Sequence, residues 1–290
     1  MRPASAALLT GAAVAAGALV EPLFPVLRRV AVPVLPPGAQ PLTVLHLSDL
    51  HLLPRHGRRS RWITGLTRLR PDLVVATGDL WSSARALPLL GATLGALTAE
   101  GTPGVFVPGN NDYYSPLPPS PLGYFTAAEP VRRGPDMPWR RVVSMLGSLG
   151  WTDLTHSRTT LSLRGREVVL TGTDDAHLRR DRYETVAGPV GATLAIGVTH
   201  TPQRRILDAF VADGHRLLLA GHTHGGQLRL PMVGPLVTNC DLDRARARGL
   251  SRHGSGPQAA WLHVSAGLGT SPYAPVRLCC RPEATLLTLL

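Results

Sequence analysis

The sequence predicts an α/β sandwich carrying mixed sheets, in a domain running from residue 41 to residue 290. Three observations predict it. Short runs rich in Val, Leu and Ile recur, and their continuous apolar character suits strands buried on both faces. Longer Ala- and Arg-rich stretches of helical length separate them. Polar residues collect directly after the apolar runs. A chain of 290 residues buries on the order of 75% of its unfolded surface and needs no disulfide staple.

The first element is an uncharged run over 4–20, dominated by Ala, Gly, Leu and Val. Three readings stay open: a weak membrane anchor, a signal-peptide core with Ala16-Gly17-Ala18 as its cleavage site, or a packed helix. The anchor reading leads. Arg28 and Arg29 follow the run, so an uncleaved anchor would hold the main domain on the cytoplasmic side of a membrane; export stays open. The segment 1–29 carries no ligand candidate and reads as a unit apart. Residues 30–40 contain Pro33, Pro36, Pro37 and Gly38, an extended connector into the 41–290 domain.

Within that domain the strand candidates are 42–48, 72–77, 104–107, 167–171, 194–199, 216–220, 262–265 and 284–289. The stretches 62–70 and 87–99 read as helices. The proline-rich stretch 115–123 reads as a loop. There is no internal repeat.

All 30 basic residues are Arg, none Lys, and the net charge is +11. The absence of Lys excludes Walker-A, kinase and Schiff-base lysine chemistry. The three cysteines, Cys240, Cys279 and Cys280, form neither a Cys-x-x-Cys motif nor a zinc set and read as small core residues. Arginines cluster at Arg55, Arg58, Arg59 and Arg61, beside His56 and Trp62. They cluster again at Arg132, Arg133, Arg140 and Arg141, beside Trp139. A basic field favours phosphate-bearing partners, whether nucleic acid, an anionic membrane surface or a phosphorylated substrate. The bland reading is an Arg-rich coding bias that solvates the surface. No nucleic-acid-binding motif accompanies the charge.

The residues directly after each strand are the informative ones. After the first strand comes Asp49-Leu50-His51, and after the second Gly78-Asp79. The third leads into Gly109-Asn110-Asn111-Asp112. A later one ends in Thr199-His200, and the next in Gly221-His222-Thr223-His224-Gly225-Gly226-Gln227. Ligands of α/β proteins bind beyond the carboxyl ends of strands, so these runs converge on one rim. Oxygen ligands mixed with imidazoles suit divalent manganese, iron, zinc or cobalt. If the segment 49–51 is extended, Asp49 and His51 project to the same side. An isolated Asp-x-His is common by chance; all five runs in this order are not.

In these runs the sequence resembles the calcineurin-like metallophosphoesterases, whose signature is D-x-H, G-D, G-N-H-D/E, H and G-H-x-H. The later Ser-Ala-Gly-Leu-Gly-Thr-Ser at 265–271, with Pro275-Val276-Arg277 and Arg281-Pro282-Glu283, is similar to a small bacterial, often membrane-associated branch. The resemblance implies a four-layer α/β/β/α sandwich of two mixed sheets. It implies a binuclear metal site at the strand C-terminal ends, with two divalent ions (Mn, Fe, Zn or Co). Asp49, His51 and His224 would hold one ion, Asn110, His200 and His222 the other, and Asp79 would bridge them.

The implied function is a metal-dependent phosphoesterase. It would cleave phosphoester or pyrophosphate bonds with a metal-bridging hydroxide, on a phosphate-ester substrate that the branch suggests could be lipid-linked. The alternatives are a nuclease of the same superfamily and a non-catalytic metal- or phosphate-binding protein at a membrane surface. One position departs from the pattern. The family has His after the ligand Asn, where it could protonate the leaving group; this chain has Asn111, and an amide gives up no proton. The candidates left near the chemistry are Asp112, His56 and His177, or else a leaving group stable as an anion. His46, His156, His215, His253 and His263 read as hydrogen-bonded structural residues.

Overall fold

The computed structural model describes residues 3–118, 133–192 and 194–290. Arg132 and the later part of the 115–123 stretch lie outside the described residues. The strands in chain order are β1 (Val26–Val32), β2 (Leu42–Leu47), β3 (Leu73–Thr77), β4 (Gly104–Val107), β5 (Trp151–Asp153), β6 (Ser157–Leu163) and β7 (Arg166–Gly172). They continue as β8 (Leu194–Val198), β9 (Leu217–Ala220), β10 (Arg229–Leu230), β11 (Gly234–Pro235), β12 (Gly249–His253), β13 (Ala260–Val264) and β14 (Glu283–Leu289). The α-helices are α1 (Pro3–Val20), α2 (Gly57–Thr64), α3 (Leu87–Thr98), α4 (Asn110–Tyr113), α5 (Trp139–Ser148) and α6 (Arg204–Ala212).

Two mixed six-stranded sheets form the body, ordered β1-β14-β2-β3-β4-β5 and β12-β13-β9-β8-β7-β6. In the first, β2 to β5 run parallel, and β14 lies antiparallel to β2 and parallel to β1. In the second, β7, β8, β9 and β13 run parallel between antiparallel edges β6 and β12. Alternation along the strands builds three cores. Leu73, Val75, Val105 and Val107 face Val168, Leu170, Ile196, Val198, Leu217 and Leu219 across the gap between sheets. Val74, Ala76 and Phe106 point the other way, into Ile63, Leu90, Leu94, Val142 and Leu146 of α2, α3 and α5. Leu218, Ala220, Leu262 and Val264 pack against Ile206, Leu207 and Phe210 of α6. The result is the four-layer α/β/β/α order. Strands of both sheets deliver their carboxyl ends to one rim.

At the amino terminus the structure departs from the expected anchor. Among the described residues no helix is long and apolar enough to cross a membrane. The 18 residues of α1 span about 27 Å at 1.5 Å per residue, short of a hydrocarbon core of about 30 Å, and its Ala, Gly, Ser and Thr are only mildly apolar. This overturns the anchor and the membrane location drawn from it. Nor is the segment detached from the domain. The boundary expected at 29/30 falls inside β1, which pairs along its whole length with β14. Ala18 O accepts from Arg277 N at 2.8 Å. The Glu21 carboxylate accepts from Cys279 N and Cys280 N, and Arg281 Nε donates to Phe24 O at 2.9 Å. The amino-terminal segment therefore straps the 277–282 loop.

Candidate metal centre

At the rim, ligand atoms of Asp49, His51, Asp79 and His224 all lie within 4.8 Å of one another. His51 Nε2 is 3.2 Å from His224 Nε2 and 3.4 Å from Asp79 Oδ2, and His224 Nε2 is 3.5 Å from Asp49 Oδ1. An ion holding nitrogen and oxygen ligands at about 2.0–2.2 Å spaces them about 3.0–3.5 Å apart, so the cluster has the right size. Asp49 Oδ1 is buried with no hydrogen-bond partner among the described residues. An orphaned carboxylate oxygen is costly unless a cation completes it. A second group lies alongside: His200 Nε2 is 3.7 Å from the same Asp79 Oδ2 and 3.3 Å from His222 Nδ1.

The four imidazoles share one device. The ring nitrogen turned away from the cluster is tied down: His200 Nδ1 to Thr77 O (2.6 Å), His224 Nδ1 to Gly269 O (3.2 Å), His222 Nε2 to Asn239 O (3.1 Å) and His51 Nδ1 to Ser82 Oγ (2.9 Å). A carbonyl only accepts, so the outer nitrogens facing carbonyls carry the hydrogen and the inner ones offer a lone pair.

The backbone does the aiming. Asp49, His51, Asp79, His222 and His224 all have φ between 42° and 69°. The segment 49–51 is therefore not extended, and its side chains converge through left-handed turns rather than strand alternation. Asp and His are among the types that enter this region most readily. Gly221 gives the tightest approach: a Cβ there would lie 1.8 Å from Ser48 Oγ and 2.7 Å from Asp49 Oδ2.

Burial sets the charge state. It raises Asp49 to about 6, with Asp79 adding to the rise and His200 opposing it. Burial also acts against ionised Asp79, but His200, His51 and the bonds from Asn111 outweigh it and hold that carboxyl below its usual range. His200 rises to about 9: Asp79, Asp49 and Asp175 overcome its burial. Burial drives His51 down to about 4 and His222 and His224 well below the ordinary imidazole value. A proton on His200 against the carboxylates marks a place for positive charge, and a bound cation would displace it and free the inner nitrogen.

The remaining candidates fall in different places. Asn110 opens α4. Asn111 is the residue that reaches Asp79, its Nδ2 donating to Oδ2 and its backbone N to Oδ1. Asp112 is turned to backbone amides. It is fully buried and accepts from Asp79 N, Leu80 N and Gly109 N at 2.8 Å each, locking the β3 and β4 turns together. Burial and Asp79 raise it to about 8. His56 is turned to Leu53 N and Arg59 Nη1, and burial with Arg59 and Arg55 lowers it to about 4. His177 stands beside the cluster, its ring 4.8 Å from that of His222.

Arg277 is the residue whose role sequence reasoning missed, although it closes the Pro275-Val276-Arg277 motif. Fully buried, it donates through Nη2 to Ala266 O, Gly267 O and Gly269 O and through Nη1 to Cys280 O. It thereby fixes the carbonyl that orients His224. The three cysteines are unpaired. Of the structural histidines, His46 Nδ1 meets His263 Nδ1 at 2.8 Å between the sheets, His253 pairs with Asp208, and His156 and His215 bond backbone.

Comparison with known proteins gives a consistent result. The calcineurin-like phosphoesterase family model matches residues 42–226. The chain is 30% identical over 256 residues to the metallophosphoesterase YkoQ of Bacillus subtilis (strain 168), spanning 86% of this chain and 84% of that one. It is 27% identical over 261 residues to the metallophosphoesterase YkuE of the same organism, spanning 88% and 81%. It is 27% identical over 257 residues to the phosphodiesterase YaeI of Escherichia coli (strain K12), spanning 87% and 83%.

Proposed function

The chain belongs to the calcineurin-like phosphoesterases, metal-dependent hydrolases of phosphoester bonds, and from that premise we propose a binuclear centre that cleaves diesters or pyrophosphates with stable leaving groups. Asp49, His51 and His224 would hold one divalent ion and Asn110, His200 and His222 the other, with Asp79 between the two sets. The observation that carries this reading is the position of Asp79 Oδ2, 3.4 Å from His51 Nε2 and 3.7 Å from His200 Nε2. Divalent ions held there would supply charge to the non-bridging phosphoryl oxygens and make water a better nucleophile near neutral pH.

The chain's own residues do the rest. The carbonyls of Thr77, Gly269 and Asn239 keep His200, His224 and His222 in the ligand tautomer, and Ser82 orients the His51 ring. Asn111 and Asp112 hold Asp79 in place. Asn111 offers no proton to the departing oxygen, which favours substrates whose leaving group is stable as an anion. His177, its ring 4.8 Å from that of His222, is the candidate to serve a more basic leaving group.

The test uses chelated protein reloaded separately with manganese, iron, zinc or cobalt and assayed on bis(p-nitrophenyl) phosphate. Activity should return with about two equivalents bound, and Asp79→Asn should lose both metal and rate. Full activity at one equivalent or none overturns the binuclear reading.

A further inference from the structure

We infer that a cleft beside the metal cluster is a binding subsite for a second phosphoryl group, the one that departs when the scissile bond breaks. The cleft encloses about 930 Å³. One wall is the start of α5, with Arg140 and Arg141; the other is the 174–182 loop, with Arg179, Arg180 and Arg182; Tyr113 and Asp174 form the inner end.

Charge marks it out. Five guanidinium groups line the cleft against one carboxylate, Asp174. That carboxylate is already neutralised. Arg180 Nε donates to its Oδ2 at 3.0 Å and Tyr113 Oη to its Oδ1 at 2.9 Å, while the Arg180 guanidinium lies 4.1 Å from the Tyr113 ring centroid. Arg140, Arg141, Arg179 and Arg182 are exposed and have no carboxylate partner among the described residues. Four unpaired guanidiniums around one concavity repel one another unless an anion joins them. Phosphate takes bidentate bonds from guanidinium better than any other common anion.

Position ties the cleft to the chemistry. Tyr113 follows Asn111 by two residues, so their Cα atoms are at most about 7 Å apart. Asp174 precedes His177 by three residues, at most about 11 Å. Two residues of the cleft therefore lie near, along the chain, residues that touch the cluster: Asn111 bonds Asp79, and the His177 ring is 4.8 Å from that of His222.

The cleft also answers the missing acid. Water oxygen bonds to the scissile phosphorus, the bond from that phosphorus to the bridging oxygen breaks, and the bonding pair departs with the second phosphate. One proton passes to solvent. Guanidiniums stabilise the departing anion, so Asn111 need not be an acid. The substrate class is then a phosphoanhydride, such as a dinucleoside diphosphate. This inference rests on the phosphoesterase reading above.

The test compares kcat/KM on diadenosine diphosphate with kcat/KM on bis(p-nitrophenyl) phosphate, in the metal-loaded full-length protein and in the double variant Arg141→Ala/Arg179→Ala. Wild type should hydrolyse the anhydride, and the double variant should lower the anhydride-to-diester ratio at least tenfold, mainly through KM. Added salt should lower the wild-type ratio in the same direction. An unchanged ratio overturns the subsite, as does a wild type that cleaves the diester and ignores the anhydride. So does a double variant whose loss is confined to a single-stranded oligonucleotide, which would make the cleft a polynucleotide track. Failure on every substrate with every metal overturns the parent reading instead.

Discussion

Asn111 grips both oxygens of Asp79: its side-chain Nδ2 donates to Oδ2 at 2.7 Å and its backbone N to Oδ1 at 2.8 Å. The residue that breaks the family pattern is therefore a positioning residue for the Asp79 carboxylate. Asn111→Ala removes one bond to a charged group, worth about 1.5–3 kcal/mol. Metal affinity should fall about 10- to 100-fold while the circular dichroism spectrum stays native. Titration against a competing chelator measures it. A change under twofold would show that Asp79 needs no such support.

Asn111→His should act differently. It restores a titratable donor and gives up the amide contact, so total rate can fall. The informative quantity is the ratio of rates on alkyl and nitrophenyl esters, in which metal loss cancels. That ratio should rise, because only alkoxide leaving groups need the proton, by a factor within the roughly 10²–10⁴ range typical of acid catalysis. A flat ratio would send attention to His177→Ala.

Truncation should be graded. Removing residues 1–11 keeps Ala18, Glu21 and β1 and should leave the melting temperature nearly unchanged. Starting at Pro33 removes β1, the Glu21 clamp on Cys279 and Cys280, and the bond from Arg277 N to Ala18 O. A drop on the order of 10 °C is expected at about 2–4 °C per kcal/mol, with weaker metal retention because Arg277 positions the His224 loop. Calorimetry of the two truncations decides it, and equal melting temperatures would mean the strap adds nothing to stability.

Stability should decline in mild acid. His263 is lowered to about 4 by burial, and His46 falls well below its ordinary value through burial and then His263. Both are neutral when folded and have unfolded values near about 6.5. Above that pH neither state binds the proton and stability is complete. As pH falls below about 6.5 the unfolded chain binds protons first, and each group costs up to about 1.4 kcal/mol per pH unit until its folded value is reached. Urea melts of the metal-free protein between about pH 7 and pH 4.5 should show that slope, reduced in His46→Gln/His263→Gln. An identical slope would assign the acid sensitivity elsewhere.

Sequence patterns revealed the strands that are buried on both faces and hid those that are not. Runs such as Leu73–Thr77 and Gly104–Val107 are wholly buried, so their apolar continuity was visible. At the sheet edges β1 carries Arg28 and Arg29, and β6 alternates exposed Arg158, Thr160 and Ser162 with half-buried neighbours, so neither read as a strand. The first turns of α5 and α6 hold Arg pairs, which masked amphipathic helices. The candidate ligands were legible because each follows a strand. The carbonyls of Thr77, Gly269 and Asn239 that orient them were not, since every residue has a carbonyl and only the fold selects which one points at an imidazole.

Five proposed ligand residues adopt left-handed backbone, and that choice has a thermodynamic side. Each such residue costs on the order of 1 kcal/mol, borne by the folded state before any cation arrives. Binding then has little left to order, so affinity reflects preorganisation rather than induced closure. The same strain makes this rim a reservoir of forgone stability: a lineage released from catalysis would gain by replacing these positions with glycine. Persistence of Asp and His there is an exchange of robustness for reactivity.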